Sequence, residues 1–404
     1  MTHTIVDRGP MKRNVALLSA CLALSTTGVT VTAVVSALAG KMLAPDGMWT
    51  LPLALQFIGM TVMAIPANTI MNWIGRRAGF TLGQLIGIGG AFLSYYAIIE
   101  LDYELLCVGG LLLGFHNAFW NGFRFAATET ATESFKNKAI SYVLAGGVIS
   151  AIIGPEIAKF SKDLMAPATY AGSYLVIVLL CCITIAILQF IRIPRPKRHE
   201  LKDTGRPLGQ IIKQPTFIAA ALAAAIGYGS MSLIMTATMP AMEICGFGFD
   251  ESAFVIQWHA IAMFAPNFFT GSLIQRFGVL NVITTGIVLM FACIAVNLSG
   301  IEYLQFLSGL VALGLAWNFM FVGGTTLLTE CYRSEERFKV QGLNDFIVYG
   351  MMSLSSLSSG ILLQKFGWVA VNTAVILPIL VVTGVMIWVR VLRNRQARSL
   401  SAAE

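Results

Sequence analysis

Asn117, Asn121, Arg124 and Thr128 stand four, three and four residues apart, a spacing that gathers two amides, a guanidinium and a hydroxyl on one narrow helix arc. His116 adjoins them. Such a face could hydrogen-bond a small solute, with Arg124 as an anion contact or part of an inner gate. Equally, the amides could be interhelical glue, and Arg124 could bond helix-end carbonyls or Glu129. Later in the chain Trp317, Asn318, Phe321 and Thr325 repeat the placement. Trp120, Tyr228, Trp258, Trp317 and Phe321 could offer stacking faces to a planar ligand, or simply fill a bundle. His116 or His259 could carry a coupling proton, or serve as a neutral hydrogen-bonding group. Gln341 and Asp345 lie one turn apart, and Asp345 needs a cationic partner that Arg76, Arg77 or Arg276 could supply. Such a pair would close an inner gate; the alternative is a protonation site.

Those polar groups sit in sequence that belongs in hydrocarbon. From Gln214 to Met242 there is no Asp, Glu, Lys, Arg or His, and about a dozen such stretches follow one another along the chain. A run of 18 or more apolar residues crosses the roughly 30 Å hydrocarbon layer as a helix. Of the residues, 56% are hydrophobic and 12% charged, where a soluble domain carries about 25% charge. This argues against a soluble core and against the nucleic-acid partner that a net charge of +7 would suggest. The expected architecture is an all-α membrane protein with spans over 14–40, 48–73, 78–99, 104–127, 138–158, 169–192, 214–241, 252–274, 279–299, 302–328, 340–363 and 367–390, twelve in number.

The positions of the charges set the topology. Of the 27 lysines and arginines, Lys41, Lys159, Lys162 and Lys365 fall on one face, Arg124 falls inside a span, and all the others fall on the opposite face. The positive-inside rule then puts both termini in the cytoplasm. The first apolar run is about twice the length of a signal-peptide core and ends without an A-x-A site, so it reads as an uncleaved span. The one long charged connection carries Pro194, Pro196 and Pro207, with Pro215 just beyond. It divides the chain into a tail (1–13), a six-helix bundle (14–193), a cytoplasmic linker (194–213), a second six-helix bundle (214–391) and a tail (392–404). The seven cysteines show no CxxC or metal spacing and read as reduced packing residues.

The halves echo each other. Asn117, Gly122, Thr128, Glu129 and Lys138 superpose in one register on Asn318, Gly323, Thr329, Glu330 and Lys339. Asn68-x-x-x-Asn72-Trp73-Ile74-Gly75-Arg76 returns as Gly271-x-x-x-Gln275-Arg276-Phe277-Gly278. Parallel six-helix repeats are a transporter architecture. On these residues the chain resembles the major facilitator superfamily, whose signature between spans two and three is a Gly, three residues, an Asp, a basic residue, any residue, a Gly and further basic residues. Gly75, Arg76 and Arg77 fit it, while Asn72 and Gln275 stand where the acid is expected. Gly146, Gly147, Gly154 and Pro155 are similar to the span-five signature of the family's antiporters, with close helix packing as the alternative. Phe125-Ala126-Ala127, Ala139-Ile140-Ser141, Leu144-Ala145-Gly146-Gly147 and the run from Gly323 to Glu330 resemble a bacterial branch of general permeases near riboflavin-type vitamin permeases.

No P-loop, H-E-x-x-H or G-x-S-x-G occurs, so neither a pump nor a membrane enzyme is indicated, and no cofactor or metal is expected. The expectation is a monomeric secondary transporter in a bacterial inner membrane. It would work by alternating access on a neutral or weakly anionic, planar, riboflavin-like solute, with a coupling proton left open. Drug or metabolite efflux and a non-transporting sensor are the alternatives.

Overall fold

The computed structural model describes residues 8–43, 51–193 and 205–401, and every regular element among them is helical. Residues 1–7, 44–50, 194–204 and 402–404 lie outside the described residues, and with them parts of both expected tails and most of the expected linker. Contacts divide the chain into two units, Met1–Asp203 with Gln341–Ser353, and Thr204–Val340 with Leu354–Glu404.

The first unit contains α1 (Arg8–Leu43), α2 (Leu51–Ile74), α3 (Arg76–Ile99), α4 (Tyr103–Trp120), α5 (Phe123–Glu129), α6 (Lys136–Ala145), α7 (Gly147–Ser161) and α8 (Ala171–Leu188). The second contains α9 (Leu208–Ile211), α10 (Pro215–Ile244), α11 (Phe249–Phe264), α12 (Asn267–Phe277), α13 (Val279–Ser299) and α14 (Tyr303–Leu328). Then come α15 (Arg337–Thr373), which lends Gln341–Ser353 to the first unit, and α16 (Ile376–Ser401).

Among the described residues, nine helices are long and apolar enough to cross a membrane. Elsewhere the expected stretches are helical but interrupted for local reasons. The 104–127 stretch arrives as α4 and α5, because Gly122 N–H turns to the Phe119 carbonyl (3.0 Å), a tightened 3₁₀ turn. The 252–274 stretch breaks at Pro266, which has no N–H to give. The last two stretches meet at Gly367, whose φ of +78° interrupts α15.

Helices approach where side chains are smallest. A Cβ on Gly110 would run into the Pro52 carbonyl oxygen and one on Gly114 into that of Gln56, so the α2 and α4 backbones touch. Gly146 and Gly154 sit in the same way against Ser19 and Thr30 of α1, which is the packing role for these span-five glycines. The tight turn between α2 and α3 passes through Gly75 (φ +86°, ψ 157°), and the one between α12 and α13 through Gly278 (φ +83°, ψ 150°). The two repeat-related glycines thus share one conformation, an extended one at positive φ that is open almost only to glycine and costs another residue about 1–3 kcal/mol.

Where description resumes after the linker, the chain is pinned within the second unit. Glu336 is buried, and its Oε1 accepts from Arg206 N and Nε (2.8 Å each). Its Oε2 accepts from Arg206 Nη2 (2.6 Å) and Arg333 N (2.9 Å). Gly205, at φ +59°, leaves room for this carboxylate, since a Cβ there would lie 2.6 Å from Glu336 Cγ. The Arg206 hydrogen bonds hold the Glu336 carboxyl at about 2, below its ordinary 4.5. Because the folded value is the lower one, the clip stabilises fully above pH 4.5 and is lost as pH falls toward 2. Glu336→Gln should therefore lower the thermal midpoint of detergent-solubilised protein at neutral pH, by a gap that closes on acidification through this window. No gap at neutral pH, or one unchanged in acid, contradicts the clip.

Candidate functional site

In the first unit, six uncharged polar side chains from α1 to α4 meet in an otherwise apolar interior: Ser25, Thr32, Gln56, Gln84, His116 and Asn117. They line a cavity of about 10 Å³, room for roughly one water molecule, with Cys181 of α8 among its walls. Gln56 Nε2 donates to Thr32 Oγ1 and Gln84 Nε2 to Ser25 Oγ, both at 3.3 Å, while Gln84 Oε1 is buried with no partner. His116 Nδ1 lies 3.0 Å from the Gly83 carbonyl oxygen, so that nitrogen carries the hydrogen and Nε2 is left as an acceptor. A Cβ on Gly87 would press on the His116 ring at 2.8 Å and on Cys181 Sγ at 3.1 Å, so the absent side chain is what lets these groups converge. An orphaned buried acceptor beside hydroxyls and an imidazole is a set suited to hydrogen-bonding a neutral solute.

The arc expected along α4 splits at the helix interruption. Asn117 stays at the cavity, its Oδ1 accepting from Trp120 Nε1 at 3.0 Å. Asn121 turns back to donate to the Asn117 carbonyl (2.8 Å), and Thr128 donates to the Phe125 carbonyl (2.7 Å).

Arg124 keeps a long contact with the arc, Nη1 to Asn121 Oδ1 at 3.5 Å, but its closer partner lies elsewhere, and here the expected pairings are corrected. Its Nη2 meets Asp345 Oδ1 at 2.5 Å, with both side chains 1% exposed, and its Nη1 donates to Tyr349 Oη at 3.3 Å. Arg76, expected beside Asp345, instead donates to Glu129 Oε1 from Nε (3.0 Å) and Nη2 (2.8 Å), and to Gln341 Oε1 at 2.5 Å. The register of α15 decides this: Gln341 and Asp345 share one face a turn apart, so one reaches Arg76 and the other Arg124. Glu129 is therefore a partner of Arg76. Arg77 is exposed and donates to Gln189 Oε1 at 2.5 Å. Arg276 is exposed too, 5.3 Å above the Phe277 ring.

In the second unit Asn318 is fully buried and satisfied on both sides: Thr270 Oγ1 donates to its Oδ1 (2.7 Å), and its Nδ2 donates to the Met263 carbonyl (2.7 Å). This is the interhelical-glue arrangement. Trp317 and Phe321 stack at 4.9 Å, with Tyr228 edge-on to both and Phe264 edge-on to Trp317, so these rings occupy one another's faces. His259 Nδ1 donates to the Leu310 carbonyl at 2.8 Å, and its neighbour Trp258 is 44% exposed, away from that cluster. Ser25, Thr32, Gln56 and Gln84 were not singled out by sequence. Gln56 and Gln84 are lone amides in long apolar runs, and that isolation was the available signal.

A model of the Major Facilitator Superfamily matches residues 15–265 and 225–404. A riboflavin transporter of Brucella anthropi is 36% identical over 371 residues, which cover 91% of this chain and 93% of that protein. An uncharacterised transporter of the superfamily's type from Bacillus subtilis is 28% identical over 380 residues, 89% of this chain and 86% of that one. Among solved structures, the E. coli fucose:proton symporter aligns with a TM-score of 0.71 at 17% identity, over 93% of this chain and 97% of that one. A human organic anion transporter aligns with a TM-score of 0.77 at 11% identity, over 93% and 99%. At such identities the solved structures share the fold alone.

The ion pair makes a direct prediction. Asp345→Asn leaves the Arg124 guanidinium uncompensated in a dry interior, at a cost of about 3–5 kcal/mol. A sharply lowered thermal midpoint is expected, with most of it recovered in the double variant Arg124→Leu/Asp345→Leu. An unchanged midpoint in the single variant, or no recovery in the double, contradicts the assignment.

Proposed function

The chain belongs to the major facilitator superfamily, and on that premise we propose that this multi-pass membrane transporter takes up riboflavin, or a flavin close to it, by alternating access. The observation that carries the reading is the uncharged polar cavity of the first unit. Riboflavin is neutral, with a polyhydroxyl chain and a flat heteroaromatic ring, and it asks for amides, hydroxyls and imidazole rather than for a countercharge. Arg124, just past the end of α4, is buried against Asp345 and so is not free to serve as a countercharge. The identity to a named riboflavin transporter over nine-tenths of the chain supports the same substrate.

In this reading twelve spans form two six-helix bundles with both ends in the cytoplasm of a bacterium, as the positive-inside distribution favours. Gln84 and Asn117 bind the solute directly, and His116 offers its Nε2 to a hydroxyl. The cavity is far too small for a whole flavin, so it would receive one polar arm and widen when the solute enters. The Arg124–Asp345 and Arg76–Glu129 pairs hold closed the end of the bundle nearer to α5.

Reconstituted in liposomes, the purified chain should accumulate labelled riboflavin. Gln84→Leu and Asn117→Leu should each raise the half-saturating concentration on the order of tenfold, the worth of one hydrogen bond to substrate. Asn318→Leu should instead lower the yield of folded protein and leave that concentration unchanged. Wild-type liposomes that carry no riboflavin would end the substrate assignment, and growth of a riboflavin auxotroph on trace vitamin separates uptake from export.

A further inference from the structure

We propose that the first unit carries a binding site for an anionic phospholipid, between the start of α3 and the end of α8, whatever solute the protein moves. A groove of about 780 Å³ opens there, lined at one end by Arg77, Gln189 and Arg192, with Ile74 at the adjoining turn, and further along α3 by Leu82 and Leu85. Two guanidinium groups reach the chain just past α8, and a third arginine, Arg192, stands on that chain at the groove. Arg77 Nη2 donates to Gln189 Oε1 at 2.5 Å, and Arg13 Nη2 donates to the Phe190 carbonyl at 3.1 Å. Arg192 is fixed through its backbone, where Asn14 Nδ2 donates to its carbonyl (2.8 Å) and Asn14 Oδ1 accepts from its N–H (3.2 Å).

Each guanidinium has five N–H donors, and one apiece is spent by Arg77 and Arg13 in these contacts. The side chain of Arg192 makes no hydrogen bond among the described residues, and no carboxylate lines the groove. The arrangement is a cluster of forked donors suited to a phosphodiester.

Depth distinguishes a lipid from a free anion. Leu85 lies eight residues up α3 from Arg77, roughly 12 Å along the axis, so the groove passes from cationic to apolar in the direction that leads from headgroup to acyl chain. Leu85 is exposed, as a wall for a chain would be. Trp73, 70% exposed at the adjoining end of α2, marks the membrane–water interface at this level. Basic pockets between membrane helices are a known form of headgroup recognition.

Binding of phosphatidylglycerol and phosphatidylcholine to delipidated, detergent-solubilised full-length protein, read by native mass spectrometry, tests the site. Phosphatidylglycerol should bind on the order of tenfold more tightly than phosphatidylcholine. Arg77→Gln/Arg192→Gln should abolish most of that preference, and Arg77→Lys/Arg192→Lys should keep most of it, which separates charge from folding. Equal binding of the two lipids to wild type, an unchanged preference in the glutamine variant, or displacement of the lipid by millimolar inorganic phosphate would each overturn the proposal.

Discussion

In hydrocarbon a polar side chain has no water to fall back on, and the chain must supply a partner for each one it buries. The Arg124–Asp345 pair is the most demanding case, a full charge on each side with almost no exposure. Much of the first unit is arranged to meet it. The 3₁₀ turn at Gly122 separates α4 from α5 and so gives Arg124 a different setting from Asn117, while α15 brings Asp345 and Tyr349 to its guanidinium. One turn earlier on α15, Gln341 meets Arg76, which in turn holds Glu129.

The same constraint accounts for the altered signature. Where the superfamily pattern leads one to expect an acid, Asn72 and Gln275 stand instead. In the first unit the neutralising carboxylates come from elsewhere, Glu129 for Arg76 and Asp345 for Arg124. Asn68, at the pattern's first glycine, faces a glycine on the partner helix: a Cβ on Gly342 would lie 3.2 Å from Asn68 Cβ. The turn glycines, Gly75 and Gly278, keep matching dihedrals despite these exchanges, because their conformation is set by the backbone path and not by the charges around it.

What could be read in advance follows from how local each feature is. Helical stretches are declared by length and apolarity alone, and 279–299 coincides with α13. The superfamily resemblance was likewise legible, since it rests on short motifs. Partnerships were not. Arg124 and Asp345 are 221 residues apart, and which of several arginines an acid meets depends on helix faces that charge counting leaves undetermined. Trp258 shows the same limit: in a helix apolar all round, periodicity does not separate an inward from an outward ring. Gln56 and Gln84 escaped notice because each stands alone, and only the fold brings them to His116 and Asn117.

On the proposed reading, the small polar cavity of the first unit opens to a flavin and is not sealed packing. Cys181 borders it and is a native reporter, readable in a Cys182→Ser background that removes the exposed neighbouring thiol. The rate at which a water-soluble thiosulfonate modifies Cys181 in reconstituted protein, with and without riboflavin, tests the claim most directly. Measurable modification that riboflavin slows is the predicted result. A thiol that stays unreactive while the protein is folded, or that reacts at the same rate with saturating riboflavin, would contradict it.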